Sequence, residues 1–414
     1  MRTRPNIVVI LADDLGYGDP SHMGGPWHTP RMDALAASGL RCTDFLANGP
    51  VCSPSRAAIL TGHYQQRYGI EGVVSAAGHR DCGLDPAAPS FVRALRTLGY
   101  RTALFGKWHL GYDPAFGPRQ FGFETFRGFV SGNVDYHSHV DQAGYADWWQ
   151  DEELLDEPGY VTAKIAEHAR QFIADHRDEP FCLVLPHAAP HYPYQGPDDR
   201  PERSPGGDFV IHGWRSEDPA AARDGMAAVM TAFDAAIGDT VDAIDAAGLG
   251  DDTIIIVTSD HGAPAPSINA PLRAGKASLY EGGVRVPCLV RYPRRIAPGT
   301  VSSATVMGMD LAPSLLAAAG GDWHGDGRSW WPALAGDQLA ERSLCWRFQD
   351  QQAVRQGRWK WIRPQADAAP ELYDLNADLS ETVNLAAAHP ERCQAMAAVF
   401  ADWETDVCAK PMLA

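Results

Sequence analysis

The chain has 414 residues, 45% of them hydrophobic and 21% charged, proportions that exclude general disorder, collagen and coiled coil. That length holds two or three ordinary domains, or one large α/β core with an appendage. With 35 basic against 52 acidic residues the formal charge is −17, which argues against nucleic acid or another polyanion as the main partner and leaves room for a local basic pocket that takes one small anion.

Taken in chain order, the first element is a continuous apolar strand over 7–12 that ends on Asp13 and Asp14. Helices are predicted over 30–37 and 54–61, the second with Ser53 as N-cap, Pro54 in the first turn and Gly62 as its stop. A helix over 89–98, a strand over 102–105, a helix over 160–176 and a strand over 181–186 follow. The stretch 186–219, rich in Pro, Gly and Asp, reads as a surface excursion near the mouth of a site. Then come a helix over 220–247, a strand over 253–259 that runs into Asp260, His261 and Gly262, a strand over 286–291 and a helix over 310–319. Each of these strands is an unbroken apolar run, so each is expected to be covered on both faces.

After about Leu339 the texture changes to short strands over 343–348, 352–355 and 359–363 and a final helix near 391–403. The alternation predicts an α/β protein: a large mixed, mostly parallel sheet sandwiched by helices over 1–338, with a small C-terminal α+β subdomain over 339–414 packed on it. There is no internal repeat. The eight cysteines include no C-x-x-C pair and read as buried, reduced thiols. No asparagine opens an N-x-[ST] sequon, the apolar run at the start is too short for a signal segment, and no stretch is long enough to span a bilayer. A cytoplasmic protein with no membrane partner is the expectation.

Two strand ends carry acid. Ligands of open α/β sheets bind beyond the carboxyl ends of strands, so Asp13, Asp14, Asp260 and His261 can meet there. Crowded carboxylates need a cation, and carboxylates with one imidazole make a divalent site. Oxygen-rich ligation points to Ca²⁺, Mg²⁺ or Mn²⁺, with His261 weakening a pure Ca²⁺ assignment. The plainer reading, that Asp13 or Asp14 caps the next turn, explains one acidic cluster and not two. Cys52 is placed at the positive end of a short helix with Arg56 one turn in, a position that stabilises a thiolate or an incoming anion; its alternative is a small buried thiol.

The run Cys52-Ser53-Pro54-Ser55-Arg56 resembles the C-x-P-S-R signature of type I sulfatases, members of the alkaline phosphatase superfamily. Further blocks similar to that family occur in its order: residues 6–19 around Asp13-Asp14, Gly106-Lys107-Trp108-His109, Pro190-His191-Tyr192-Pro193, Ser259-Asp260-His261-Gly262, residues 275–285 from Gly275-Lys276 onward, and residues 353–360 and 371–375 in the small domain. The resemblance covers essentially the whole chain.

It implies an alkaline-phosphatase-like fold and an enzyme that hydrolyses sulfate monoesters. It further implies that a maturase converts Cys52 to formylglycine. Asp13, Asp14, Asp260 and His261 then hold one divalent cation, usually Ca²⁺, together with an oxygen of the modified Cys52. Many relatives carry Asn where His261 stands, which leaves Mg²⁺ and Mn²⁺ open. Lys107, His109, His191 and Lys276 match the sulfate pocket, and Arg56 matches the residue that steadies the formylglycine. His191, aided by Lys276, is the candidate general acid for the leaving alcohol, and His109 the candidate base.

Taken singly, Lys107 reads equally as a snorkelling surface lysine and His109 as a satisfied buried histidine. His187 is expected beside the site rather than in it, and Glu281 to be structural. Asp135, His137 and His139 in the segment 131–139, with Trp346, Trp148 and Trp149, are the candidate lining for the leaving group. The substrate expected is a small sulfated sugar, aryl alcohol or metabolite. A phosphodiester or phosphonate monoester hydrolase of the same superfamily is the first alternative, and an inactive protein that binds sulfated ligands the second.

Overall fold

A strand whose side chains are apolar on both faces cannot lie at an edge or against water, and Asn6–Asp13 is buried at every position. It forms the middle of a sheet in the computed structural model, which describes residues 4–207, 219–334 and 339–408. Among them the large sheet has eleven strands: β1 (Asn6–Asp13), β2 (Leu40–Leu46), β3 (Arg101–Lys107), β4 (Thr125–Phe129), β5 (Trp149–Gln150), β6 (Glu153–Leu154), β7 (Phe181–Pro190), β8 (Thr253–Ser259), β9 (Arg285–Arg291), β10 (Thr300–Ser302) and β11 (Val306–Met307). Their order is β10-β2-β9-β8-β1-β7-β3-β4-β5-β6, with β11 also beside β2. The centre is parallel: β1 pairs with β7 and β8, and β3 with β7 and β4. β9 runs antiparallel between β8 and β2, as do β5 and β6 at the far edge. The sheet is therefore mixed and mostly parallel, as expected.

Helices α1 (Pro30–Ser38), α2 (Cys52–Thr61), α3 (Phe91–Thr97), α4 (Val161–Asp175), α5 (Pro219–Ala246), α6 (Glu281–Val284), α7 (Leu311–Ala319) and α8 (Trp331–Leu334) accompany it. The alternation of β1 side chains divides the core in two. Val8 and Ile10 join Met32, Ile165, Phe172, Met226 and Phe233 of α1, α4 and α5. Ile7 and Val9 join Ala57, Leu60, Phe91, Leu95, Leu311 and Leu315 of α2, α3 and α7. No helix among the described residues is long and apolar enough to cross a membrane.

The C-terminal region forms an antiparallel meander, β12 (Ser343–Phe348), β13 (Gln351–Gln356), β14 (Trp359–Arg363) and β15 (Glu371–Asp374). Helix α9 (Pro390–Val407) covers one face of it through Cys393, Met396 and Phe400. Its other face packs Trp346, Ala353 and Ile362 against Leu46, Ala58 and Met307 of the large sheet and α2.

Three local expectations need correction. Helix α2 starts at Cys52 with Val51 as N-cap and no side-chain cap. Ser53 lies inside the first turn, where its Oγ accepts the Val74 N–H at 3.0 Å. Gly62 stops the helix in the left-handed region, as expected. The supposed excursion after residue 186 begins as strand, since β7 continues to Pro190 and His187, Ala188 and Ala189 are buried. Its part over 208–218 lies outside the described residues.

One close approach fixes the end of β8. The Gly262 N–H donates to Gly283 O at 3.0 Å, and a Cβ at Gly262 would lie 1.8 Å from Gly282 O. Gly262→Ala must therefore drive the 260–262 turn and α6 apart. Urea unfolding should show a loss of about 1–3 kcal/mol, the range of overpacked cores. A loss of a few tenths would mean that the two segments separate freely.

Candidate active site

The order β8-β1-β7-β3 puts four parallel carboxyl ends side by side. β8 delivers Asp260 and His261, β1 delivers Asp13 and Asp14, β7 delivers His191 just past Pro190, and β3 delivers Lys107 and then His109. Asp14 and His109 adopt φ of 67° and 59°, turning the chain away directly after each strand. Above this edge stands the first turn of α2, and Lys276 arrives on a loop whose N–H donates to Ala263 O at 3.3 Å.

The thiol, the acids and the basic cluster share one site. Cys52 Sγ lies 3.4 Å from Asp13 Oδ1 and 3.2 Å from His261 Nε2. Ligating atoms of Asp13, Cys52, Asp260 and His261 all lie within 4.8 Å of one another, as do those of Asp13, Asp14 and His191. Lys107 Nζ donates to Asp13 Oδ2, and Lys276 Nζ sits 2.8 Å from Asp14 Oδ1. Arg56 Nε donates to Asp260 Oδ2 and its Nη1 to Lys107 O, both at 3.0 Å. Lys107 is fully buried and ion-paired, so the snorkelling alternative fails. His187, whose pKa burial lowers to about 3, packs on Phe233 of α5 with ring centroids 5.0 Å apart and does not line the cleft.

The electrostatics follow from crowding in a buried place. Burial pushes Asp13 up, but Lys107, His191, Arg56 and Lys276 outweigh it and hold the carboxyl well below its usual range. Burial and Asp13 raise Asp260 to about 7. Burial opposes charge on His261, yet Asp260 and Cys52 lift it to about 9; the site favours positive charge at this point. Burial and Asp13 push the Cys52 thiol up, while Lys107, Lys276 and His261 bring it down to about 6.

These residues suit a divalent cation. Asp260 Oδ1 is buried and accepts no hydrogen bond among the described residues, the condition of an oxygen kept for a metal. His261 Nδ1 faces Gly262 O at 2.9 Å; a carbonyl only accepts, so Nδ1 keeps its proton, and in the neutral ring that a metal requires the Nε2 lone pair faces Cys52 and Asp260. Asp13 and Asp260 with the His261 imidazole, joined through Asp13 to a second group that holds Asp14 and His191, make a hard, mostly oxygen donor set.

The site opens into a cleft of about 720 Å³ whose lining includes Asp14, Cys52, His109, His191 and Lys276. The residues expected to line the leaving-group end are placed elsewhere. Asp135 is fully buried and accepts the backbone N–H groups of His137, Ser138, Glu202 and Arg203 and the Gln195 side chain. His137 bonds Gly196 O and His139 bonds Gly159 O. Trp346 donates to Ala47 O in the core, Trp148 to Glu157 and Trp149 to Asp147. None of the six lines the cleft.

The lining is instead supplied by Val73, Tyr112, Asn133, Gln142, Tyr192 and Phe348, among others. None of these is charged or periodic. Only the position of Asn133 within 131–139, and of Tyr192 in the His-Tyr-Pro block, pointed toward them. Asp135→Ala should therefore leave KM for an aryl sulfate within about twofold and lower stability by about 2–4 kcal/mol, since it orphans several donors. A raised KM with unchanged urea unfolding would return Asp135 to the substrate pocket.

A mostly parallel sheet ending in a buried acid cluster, beside a thiol on a helix N-terminus, fits the alkaline-phosphatase-like hydrolase that the sequence resemblance implies. A model of the Sulfatase family matches residues 5–321, and one described as N-sulphoglucosamine sulphohydrolase, C-terminal, matches residues 275–401. The chain is 33% identical to arylsulfatase A of Homo sapiens over 95% of its own length and 86% of that protein's. It is 28% identical to N-acetylgalactosamine-6-O-sulfatase of Bacteroides thetaiotaomicron, over 94% and 91%. The crystal structure of Ps i-CgsB in complex with k-i-k-neocarrahexaose is similar with a TM-score of 0.88 at 27% identity, covering 99% of this chain and 94% of that one. The chain belongs to the sulfatase family. It is a sulfuric ester hydrolase acting on sulfate monoesters.

Proposed function

We propose that this sulfatase hydrolyses a small O-sulfated sugar, aryl alcohol or metabolite with Cys52 carried as formylglycine. One divalent cation, Ca²⁺ before Mg²⁺ or Mn²⁺, would be held by Asp13, Asp14, Asp260 and His261. The observation that carries this reading is the place of Cys52 Sγ, 3.4 Å from Asp13 Oδ1 and 3.2 Å from His261 Nε2, in the wall of the cleft; Sγ marks where the oxygens of the modified residue stand. When bound, the cation supplies charge that lowers the pKa of the attacking oxygen, and the aldehyde hydrate supplies two hydroxyls on one carbon, one to attack sulfur and one to expel it.

The remaining work belongs to this chain's side chains. Lys107 and Lys276, fixed by Asp13 and Asp14, hold positive charge where a sulfate oxygen gains negative charge. Arg56 positions Asp260 and the end of β3. His109 Nε2 donates to Val74 O at 3.0 Å, so the ring keeps a bare Nδ1, which has no partner among the described residues and is the atom to accept a proton. His191 faces Tyr192 O through Nδ1 at 2.6 Å and Asp14 through Nε2 at 3.5 Å. Burial and Lys276 lower its pKa while Asp14 and Asp13 oppose them; its imidazolium form carries on Nε2 the proton that a leaving alkoxide needs.

The reading takes a formylglycine-generating maturase as partner, the cytoplasm as location, and 1–338 and 339–414 as catalytic domain and subdomain. Co-expression with a maturase, followed by peptide mass spectrometry, should show sulfur exchanged for oxygen at residue 52. That sample should release sulfate from an aryl sulfate with a kcat/KM above that for the matched phenyl phosphonate. A preference for phosphorus by several orders of magnitude would move the chain to the phosphonate hydrolases.

A further inference from the structure

Beyond the sulfate pocket, the cleft contains two carboxamides without partners. Asn133 is 6% exposed, lines the cleft and makes no side-chain hydrogen bond among the described residues, its Oδ1 being fully buried without a donor. Gln142, half-buried, lines the same cleft and likewise has no side-chain hydrogen bond among the described residues. Neither side-chain amide is claimed by the protein, so a ligand in the cleft can find both a donor and an acceptor in this wall.

The charges in the wall are already matched. Arg347 is clamped by Glu71 through two bonds of 2.8 and 2.7 Å and by Glu404 at 2.7 Å, and Lys276 is held by Asp14. A second sulfate on the substrate would be desolvated beside these carboxylates, with no further lysine or arginine among the described residues that line the cleft to receive it. The wall also carries the apolar side chain of Val73 and the flat rings of Tyr112, Tyr192 and Phe348.

We infer that the group bearing the sulfate is an uncharged hydroxylated ring, a monosulfated sugar rather than a polysulfated chain, and that Asn133 and Gln142 read its hydroxyls. This rests on the formylglycine reading and goes further by naming the leaving group. Gln142 Oε1 accepts one hydroxyl proton and the amide groups of both residues donate to neighbouring oxygens, while the apolar ring face lies on the aromatic side. A carboxamide offers both roles with no charge, which is what distinguishes a sugar from a second anion.

The test uses the matured full chain with three probes: 4-nitrophenyl sulfate, methyl glucosides and galactosides monosulfated at each position, and the same glycosides carrying a second sulfate. At least one monosulfated glycoside should exceed 4-nitrophenyl sulfate in kcat/KM, and its disulfated counterpart should fall about tenfold or more below it. Asn133→Ala and Gln142→Ala should each lower the ratio of kcat/KM for that glycoside over 4-nitrophenyl sulfate about tenfold, the worth of one hydrogen bond. If Asn133→Ala does not fold, Gln142→Ala decides alone. A ratio within twofold of wild type, a disulfated glycoside that matches the monosulfated one, or turnover of the aryl sulfate with none of any glycoside overturns the inference. No release from 4-nitrophenyl sulfate by a sample with residue 52 modified would instead remove the reading beneath it.

Discussion

Cys52→Ala should lower kcat on any sulfate monoester by about 10⁴-fold or more while leaving the fold in place. The size follows from the role: the side chain at residue 52 supplies the attacking atom, and deleting a nucleophile leaves only binding and electrostatic stabilisation. The specificity of the effect follows from the packing. Sγ is buried, but its close contacts here are polar, Asp13 Oδ1 and His261 Nε2, so truncation opens no apolar cavity. Lys107, Arg56 and Lys276 keep their own carboxylate partners in its absence. Urea unfolding should therefore change by less than about 1 kcal/mol. Cys52→Ser is the sharper control, because it retains a hydroxyl but cannot become an aldehyde hydrate. It should either be as inactive as the alanine variant or stop after one turnover with sulfate attached. Steady turnover of the serine variant above about one per cent of wild type would remove formylglycine from the account.

How much of this was legible in the sequence depended on whether a signal is local. β1 and β8 are unbroken apolar runs that end in acid, so both the strands and the chemistry at their ends could be read together. β2 was not marked. Leu40–Leu46 mixes Arg41, Thr43 and Asp44 with its apolar residues, and Asp44 is tolerable inside only because Arg285 and Arg355, far away in the chain, reach it at 2.9 and 2.6 Å. Ser53 followed the capping rule in composition but not in place, since Val74 N–H claims its hydroxyl.

The same contrast holds in the site. Asp13, Cys52, Lys107 and His261 sit at ends of elements, where the fold class dictates that they converge. Asp135 and His137 looked like pocket residues because acid and aromatic side chains cluster there. Their actual partners are backbone groups at 138, 196, 202 and 203, which no pattern along the chain announces. Asn133 and Gln142 carry no pattern either. They become visible only once the cleft shows their amides unanswered.

Lys360→Met should cost about 3–5 kcal/mol of stability, the loss expected when one member of a buried charge cluster is removed. Lys360 is fully buried on β14 of the small sheet, with Nζ 2.8 Å from Glu281 Oε1 and 3.0 Å from Glu381 Oε1. Glu281 keeps Arg285 at 2.6 Å when the ammonium is gone. Glu381 has no such substitute in this cluster: burial and the charge of Glu281 already raise its pKa, so it would be left as a buried acid beside another. The double variant Lys360→Met/Glu381→Gln should recover at least half of the loss, because it removes the orphaned charge rather than restoring the bond. Activity should fall with the single variant as well. Glu281 opens α6, whose Gly283 O receives the Gly262 N–H next to His261, so slack at Glu281 is transmitted to the acid end of β8. An unfolding free energy within 1 kcal/mol of wild type, with activity unchanged, would show that the small sheet does not brace the catalytic edge through this cluster.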